Sequence, residues 1–580
     1  EQFFRAEARV SLRGTGRYSL AEVAALASDP ATLRGVRATL GGYQGRSLEE
    51  LQDGLQVFVS AEEETLVLRF TDANPYVSAG VVNILANHLL LLETEDAQTL
   101  EIEALAEVPN QPVPLIELPR DMFFQNYGVN PFVDTREDNQ STFAMDVDSA
   151  AYTLARNYLN SVGALPPADA IRTEEFVNYF DYAYAPPGPE DPAFRLHLDA
   201  APAPFGADGH YLLRVGIQGR EIDPTEREPL LLVFVIDVSG SMADGNRLEL
   251  VKASLRVLLD ALQPEDRVGI ITYTDYATPV LFPTPVAEKA TILAAIDPLV
   301  PLNSTNAEAG LVEGYNMAET YALDGQTTRV ILLSDGVANV GNTSAGGILE
   351  RIANSARRGI TLTSVGVGMG NYNDVLLEQL ANNGDGNYYY VDTLQEAQRV
   401  FTENLAGTLF VIGYDAKVQV EFNPEAVARY RLMGYENRDV ADADFRNDSI
   451  DAGEVGAGHS VTALYEFALE PLTRTADRAA VLATVTIRYE DANTGEVVEV
   501  AQPLTSADLQ NSIREAPANL RLAASVAEFA ELLRQSFFAE DGNYVDLLSF
   551  AQGLAGEFPA DDAVAELLEL IRTAGRLVDQ

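Results

Sequence analysis

Three oxygen-bearing side chains follow an unbroken apolar run at residues 230–236. They are Asp237, Ser239 and Ser241, at alternate positions, with Gly240 between the two serines. The run contains no turn residue, which is typical of a strand buried on both faces of a parallel sheet. Glycine lets the backbone curl so that the three side chains can converge. Because open α/β sheets bind ligands at the carboxyl ends of their strands, we expect a ligand here, and the oxygen donors favour a hard divalent cation.

Two further loops carry oxygen atoms to the same edge. Residues 303–306 (Asn-Ser-Thr-Asn) precede a predicted helix, and Asp335 follows a predicted buried strand. Strands are predicted at 230–236, 267–273, 329–333, 361–367 and 387–391, and helices at 287–296, 307–321, 348–357, 374–380 and 394–405. Strands that alternate with helices predict a doubly wound, mainly parallel sheet with helices on both faces. This sheet is what must position the oxygen-bearing loops.

The five residues together resemble the metal-ion-dependent adhesion site of von Willebrand factor A domains. D-x-S-x-S spans Asp237, Ser239 and Ser241; Thr305 lies in an S-T-N turn, and Asp335 in an L-x-S-D-G turn. The resemblance implies a Rossmann-like domain in which the two serines and either Thr305 or an aspartate hold the ion directly, while the other side chains act through water. Mg²⁺ prefers such a six-oxygen geometry, and Mn²⁺ or Ca²⁺ could substitute. The alternative interpretation is a hydroxyl-rich turn that binds nothing.

The coordination number suggests a mechanism for such a site. If side chains and waters leave one position open, a carboxylate from a partner protein can complete the octahedron and supply the charge that the cation still lacks. The predicted function is therefore non-enzymatic, metal-dependent protein binding or adhesion, in which Mg²⁺ bridges to an acidic residue of the partner.

The composition narrows the class of partner. The chain has 580 residues, enough for about three or four domains. Its formal charge of −48 argues against nucleic acid and anionic membranes, since both would repel it. There is no cysteine, hence no disulfide or thiolate site. No apolar run approaches the ~20 residues of a membrane span, so no direct membrane insertion is predicted. The chain starts at Glu1, and we expect a removed leading segment and an extracytoplasmic, cell-envelope location.

The first 118 residues are predicted to form a separate α+β module. Strands are predicted at 8–13, 55–60 and 65–70, and helices at 19–27, 29–40 and 75–92. The stretches at 19–41, 47–90 and 101–115 resemble the extracytoplasmic domain of polysaccharide chain-length determinants of the Wzz type. A generic α+β module is the alternative. A proline-rich connector at 109–119 marks the boundary.

The remaining chain is predicted to be a multidomain α/β protein with an A domain inserted in a β-sandwich. The predicted parts are a helical extension at 119–190, β strands at 191–227, the A domain at 228–408, a β domain at 409–510 and a helical segment at 511–580. The stretch that begins MDVDSAAYTLARNYLNSVGALPPADAIRTEEF resembles the N-terminal extension of a bacterial von Willebrand factor A family, and GYENRDVADADFRNDSIDAGEVGAGHSVTALYE resembles its C-terminal domain. The last helices are predicted to pack on those at 149–180.

Two other acidic segments are candidates for ion binding. Asp146 and Asp148 precede a predicted helix and could form a cap pair or a second ion site; two carboxylates alone favour the cap. The loop at 439–458 holds Asp442, Asp444, Asp448, Asp451 and Glu454, among others. Its spacing fits no EF-hand, which favours a solvated loop over a calcium site.

Catalysis has little support in the sequence. The four histidines (His88, His197, His210 and His459) lie in separate modules, and none adjoins a serine in a nucleophile elbow. No Gly-Lys-Ser/Thr motif is present, and the glycines at 366–370 predict a turn and no dinucleotide loop. We therefore predict that the protein is not an enzyme. Two alternatives to the adhesion module are an envelope scaffold associated with polysaccharide export and an intracellular A-domain partner of an ATPase.

Overall fold

The chain divides into two units, Glu1–Leu115 and Ile116–Gln580. The computed structural model describes residues 4–11, 55–60, 65–72, 122, 124–222, 227–302, 306–336, 352–369, 372–403, 407, 409–448, 450, 452–471, 480–559 and 561–578. Of the first unit it describes three strands, β1 (Phe4–Ser11), β2 (Leu55–Ser60) and β3 (Thr65–Asp72), which form an antiparallel sheet in the order β1-β3-β2. The prediction at 55–60 coincides with β2, the one at 65–70 is two residues shorter than β3, and the one at 8–13 overlaps only the second half of β1. The predicted helices of this unit lie outside the described residues.

The second unit begins with strands as well as helices. They are β4 (Val133–Asp134), β5 (Gln140–Ala144), α1 (Ala150–Asn157), α2 (Thr173–Asn178), β6 (Phe194–Pro202) and β7 (His210–Gly219). The region at 119–190, predicted as a helical extension, therefore contains two short strands besides its helices. β4 and β5 are short, and they pair with strands almost 300 residues later, which local periodicity cannot show. Within the region of predicted helices at 149–180, Ile171 and Arg172 are extended, so α2 begins only at Thr173.

The α/β domain has a six-stranded sheet in the order β10-β9-β8-β11-β12-β13. Its elements are β8 (Leu230–Asp237), α3 (Arg247–Ala261), β9 (Arg267–Tyr273), β10 (Ala277–Pro285), α4 (Lys289–Ile296), α5 (Ala307–Tyr321), β11 (Thr327–Ser334), β12 (Ile360–Val367), α6 (Asp374–Asn382), β13 (Tyr388–Val391) and α7 (Leu394–Gln398). Residues 399–403 continue α7 as a π-helical turn. All neighbouring strands are parallel except β9 and β10.

Strand β10 was not predicted, because its prolines disguise the strand pattern. Pro279, Pro283 and Pro285 lie in this strand and obscure its pattern. Proline cannot donate to a ladder and is tolerated at a sheet edge, which is where β10 lies. The edge position is a tertiary property.

The strands on either side of the α/β domain meet in one β domain. The later ones are β14 (Val411–Phe422), β15 (Val427–Met433), β16 (Gly453–Gly456), β17 (Ser460–Leu469), β18 (Val481–Asp491) and β19 (Val497–Thr505). One sheet has the order β4-β15-β17-β7-β6; the other has the order β16-β14-β18-β19, with β5 also paired to β14. Leu213, Val215, Val418 and Val485 from both sheets share a single buried core. The architecture is a multidomain α/β fold with the α/β domain inserted in a two-sheet β domain, as predicted.

Three helices end the chain: α8 (Ala518–Leu533), α9 (Tyr544–Ala551) and α10 (Asp562–Val578). Tyr152 of α1, Phe176 of α2, Phe529 of α8 and Leu567 of α10 are buried in the same cluster. The last helices thus pack on α1 and α2. Among the helices in the described part of the chain, none combines the length and apolarity needed to cross a membrane.

Candidate metal centre

Strand β8 places Asp237 at the carboxyl edge of the α/β sheet. It lies between β9 and β11, parallel to both, and residues 230–236 are at most 1% exposed. An apolar strand is stable there because both of its faces pack against helices. Ser239 is extended, and a 3₁₀ turn at Gly240–Asn246 leads into α3. Strand β8 therefore ends in the carboxylate of Asp237, and the two serines follow in the next turn.

Asp237 is buried and held from three sides. Its Oδ1 accepts a hydrogen bond from the Ser239 backbone N–H at 2.8 Å, and its Oδ2 accepts from the Tyr273 and Ser334 hydroxyls, each at 3.1 Å. Burial raises the pKa of Asp237 to about 6, and the nearby carboxylate of Asp335 acts in the same direction. All three donors are uncharged, so no basic side chain compensates this carboxylate directly.

The two serine hydroxyls lie together above Asp237. The Oγ atoms of Ser239 and Ser241 are 3.0 Å apart. At this distance they form a hydrogen bond with each other, and they also match adjacent corners of a Mg²⁺ octahedron, which lie about 3.0 Å apart when metal–oxygen distances are near 2.1 Å. Asp335 directly follows β11 at the same edge and is buried; burial raises its pKa, while hydrogen bonds from Ser241 and Arg247 act against that rise. This oxygen-only donor set fits a hard cation.

Arg247 belongs to this edge, although the sequence analysis did not select it. Its Nη1 donates to Asp335 Oδ2 at 2.6 Å and to the Ser241 carbonyl oxygen at 3.2 Å, and its Nη2 donates to the Met369 carbonyl oxygen. A Cβ on Gly368, whose φ is +75°, would collide with this side chain. Gly366 and Val367 end β12, and the turn that follows at Gly368 and Met369 packs on Arg247. The guanidinium is thus fixed beside one buried carboxylate, that of Asp335.

Four of the five predicted site residues lie together at this edge. Thr305 lies outside the described residues; its neighbour Asn306 caps α5 by accepting a hydrogen bond from the Ala309 N–H. The residues that the sequence analysis missed are Tyr273, Ser334 and Arg247. Tyr273 and Ser334 end strands adjacent to β8, so their positions at strand ends were a usable signal.

Asp146 and Asp148 do not cap α1, and both carboxylates pair with groups of the protein itself. Asp146 Oδ2 accepts from Arg438 Nε at 3.0 Å, and Asp148 Oδ1 accepts from the Tyr388 N–H at 2.9 Å. The residue at the N-cap position of α1 is Ser149, which makes no side-chain cap. Both carboxylates are buried against one arginine because the chain folds 290 residues back on itself, so the predicted cap pair is wrong.

The acidic loop at 439–458 uses its described carboxylates within the protein. Asp442 accepts a hydrogen bond from the Thr142 hydroxyl at 2.6 Å, Asp444 accepts one from Asn447, and Asp448 pairs with Arg488. Asp451 lies outside the described residues. Across the part of the chain that the structure describes, no three His, Cys, Asp or Glu side chains are grouped for a metal ion. The loop therefore gives no support to a calcium site.

The three described histidines lie away from the Asp237 edge. His197 bonds to the Ala185 carbonyl oxygen, and His210 Nδ1 lies 2.6 Å from Glu466 Oε1. Burial and the neighbouring Arg329 and Arg399 lower the pKa of His459 to about 4. Each of the three histidines therefore has neighbours that belong to or adjoin the β domain.

Three family profiles match the chain. They are von Willebrand factor type A domain at residues 232–403, von Willebrand factor at 119–214, and the C-terminal region of uncharacterized protein YfbK at 407–577. The first covers the α/β domain that carries the site. All three matches begin at or after residue 119, so the resemblance of the first 115 residues to chain-length determinants stays a prediction.

The relatives extend over the same region. Uncharacterized protein YfbK of Escherichia coli (strain K12) is 34% identical over 476 residues, which are 79% of this chain and 81% of that protein. Uncharacterized protein sll0103 of Synechocystis sp. is 27% identical over 50% of this chain and 69% of that protein. The solved structure of von Willebrand factor type A from Catenulispora acidiphila is 16% identical, covers 67% of this chain and 91% of that chain, and has a TM-score of 0.40. The identity to YfbK over four fifths of both proteins places this chain in the YfbK family of von Willebrand factor type A domain proteins.

Proposed function

We propose that the Asp237 edge binds a divalent cation, preferably Mg²⁺, and that this cation holds a carboxylate of a partner protein. The observation that carries the proposal is the pair of serine hydroxyls 3.0 Å apart beside two buried carboxylates. In this arrangement Ser239 and Ser241 would contact the ion directly. Asp237, whose oxygens already accept three hydrogen bonds, would act on it through water.

The charges at the edge support a carboxylate as the partner group. Asp237 and Asp335 contribute two negative charges, and Arg247 contributes one positive charge. A divalent cation would leave the site with one net positive charge. A single carboxylate from another protein would neutralise it and fill an open coordination position. A neutral ligand would leave the charge uncompensated in a partly buried site, which is unfavourable.

Binding accounts for the site better than catalysis. Hydrolysis at a bound metal needs a general base within hydrogen-bond reach of the attacking water. In the described part of the edge, the titratable groups are Asp237, Asp335, Tyr273 and Arg247, with the exposed Asp244 nearby. Both buried aspartates are fixed by hydrogen bonds, and the Tyr273 hydroxyl donates to Asp237. We extend the proposal to an extracytoplasmic, cell-envelope location.

Calorimetric titration of Mg²⁺ and Mn²⁺ into the metal-stripped chain tests the metal. We expect binding to the wild type and its loss in Asp237→Ala. The matched control is Asp444→Ala, which removes an aspartate from the acidic loop. Equal binding by wild type and Asp237→Ala would contradict the proposal. Capture of acidic peptides with and without chelator then tests the carboxylate partner, and capture that is insensitive to chelator would overturn the bridging mechanism.

A further inference from the structure

A second polar cleft lies at the opposite, amino-terminal edge of the α/β sheet. It has a volume of about 800 Å³ and lies between the starts of β11 and β12 and the segment that leads into β14. Four arginines line it: Arg220, Arg227, Arg329 and Arg357. We call this the arginine cleft. It shares no residue with the Asp237 edge, and the proposed cation binding does not use it.

The charge of the arginine cleft is opposite to that of the whole protein. Acidic residues outnumber basic ones by 87 to 39 in the chain, whereas the cleft is lined by four arginines and two acidic residues, Glu228 and Asp385. Arg227 pairs with Asp266. Among the described residues, no carboxylate forms an ion pair with any of the other three arginines. A local excess of positive charge in so acidic a chain attracts anions specifically to this place.

Arg329 is the centre of this excess. The residue is 2% exposed, its Nη1 donates to the Thr363 hydroxyl at 2.8 Å, and its Nε has no hydrogen-bond partner among the described residues. Burial lowers the pKa of Arg329 to about 10, while Tyr389, Tyr414 and Glu454 act in the opposite direction without cancelling the effect. A buried cation that is only partly compensated is costly, and the cost falls when an anion pairs with it.

Two further polar atoms in the lining lack partners. The Thr361 hydroxyl is buried without a hydrogen bond, and so is the Nε of Arg220, whose Nη2 donates to the Asp191 carbonyl oxygen at 2.7 Å. Buried polar groups in folded proteins are normally paired, and unpaired ones that surround the same space indicate a missing partner. Guanidinium groups and a hydroxyl together suit the oxygens of a phosphate or carboxylate.

We propose that the arginine cleft binds a small anion bearing phosphate or carboxylate groups, with Arg329 as its buried anchor and Arg220 and Arg357 on the cleft walls. The volume is in the range of small-molecule sites. Phosphate esters and free polycarboxylates share the chemistry that the arginines recognise.

Titration of inorganic phosphate and of citrate into the full-length chain tests the proposal. The buffer holds no divalent cation, so that an anion cannot be retained at the Asp237 edge, and sodium chloride at equal ionic strength is the reference. We expect at least one anion to bind and to raise the unfolding temperature above the chloride reference. Arg329→Met should weaken the affinity at least about tenfold. Binding of phosphate alone would assign a phosphate ligand, and binding of citrate alone would assign a polycarboxylate.

Two further variants keep the test decisive. The double variant Arg220→Gln, Arg357→Gln alters the cleft walls and decides the outcome if Arg329→Met does not fold; we expect it to lose affinity as well. Arg136→Gln is the matched control, because Arg136 is exposed and pairs with Glu470 in the β domain. Wild type that binds neither anion, or cleft variants that bind as wild type does, would overturn the proposal.

Discussion

Two groups of buried carboxylates in the described part of the α/β domain have different neighbours. At the Asp237 edge, only Asp335 contacts a guanidinium, that of Arg247, and Asp237 accepts hydrogen bonds from uncharged groups alone. Where the helical extension packs on the α/β domain, Asp374 pairs with the buried Arg172 at 2.7 Å, and Tyr388 donates to the other oxygen of Asp374. The second region is neutralised by the protein itself, whereas the first retains negative charge that a cation can use.

The neutralised region continues along the same contact between the extension and the α/β domain. Arg156 of α1 forms ion pairs with Asp392, Glu396 and Glu566, and so joins α1 to α7 and α10. Arg399 lies 4.2 Å over the Tyr179 ring and pairs with Glu396. The last helix of the α/β domain is thus fixed by buried charge pairs to the helices around it. A buried carboxylate is therefore a candidate metal ligand only where no arginine already forms an ion pair with it.

The largest effect should come from removing a guanidinium from the neutralised region. Arg172→Met leaves Asp374 and Glu175 buried without their cation, which typically costs about 3–5 kcal/mol of unfolding free energy. Urea unfolding measures the change. Arg136→Ala, which breaks an exposed pair, should cost at most about 1 kcal/mol. Equal losses in both variants would show that the buried pairs do not hold the extension in place.

A buried carboxylate without an ion pair should make stability depend on pH. Glu174 is 1% exposed, and burial raises its pKa to about 8, with Glu436 and Glu175 adding to the rise and the Tyr435 backbone N–H acting against it. The folded state therefore binds this proton more tightly than the unfolded state. Its contribution to stability is fully present below the unfolded pKa and decreases as pH rises to about 8, by up to about 1.4 kcal/mol per pH unit.

Glu174→Gln should remove that part of the pH dependence. Urea unfolding of both proteins between about pH 5 and pH 8 measures it, and the variant should gain most relative to wild type at the upper end. Parallel curves for the two proteins would show that Glu174 is solvated or paired in solution.

At the Asp237 edge, loss of a hydroxyl should affect the metal and leave folding intact. Ser241→Ala removes one proposed ligand and should weaken Mg²⁺ binding at least about tenfold, equivalent to about 1.4 kcal/mol. Calorimetric titration measures the affinity. Ser254→Ala is the matched control, because the Ser254 hydroxyl bonds to the Leu250 carbonyl oxygen within α3, away from the edge. Unchanged Mg²⁺ binding in Ser241→Ala would exclude this serine as a ligand.

The smallest effect should come from Arg247. Arg247→Gln keeps a hydrogen-bond donor but removes the charge that opposes a cation, so Mg²⁺ should bind more tightly, by up to about tenfold. The same titration measures the change, and added salt should diminish the difference between the two proteins because it screens the charge. Weaker binding in the variant would mean that Arg247 matters mainly by holding Asp335 in position.

The strands of the α/β domain were largely predictable because burial on both faces leaves an apolar signature. The prediction at 267–273 coincides with β9, and the one at 361–367 differs from β12 by a single residue. β4, β5, β15 and β16 were missed, and β10 was obscured by its prolines. Their pairing depends on partners distant in sequence or on an edge position, and neither leaves a local pattern.

The sequence by itself determined the order of the elements and the residues at the carboxyl ends of the strands. An apolar run followed by D-x-S-x-S predicts a buried strand that ends in oxygen-bearing side chains, because residue type and spacing act locally. Tertiary structure alone decided which carboxylates remain available. Asp146 and Asp237 look alike in the sequence, yet Asp146 meets Arg438 across 292 residues while Asp237 meets hydroxyl groups. The reason is physical: the charge balance of a buried group depends on what lies within a few ångströms of it, and folding brings those neighbours from anywhere in the chain.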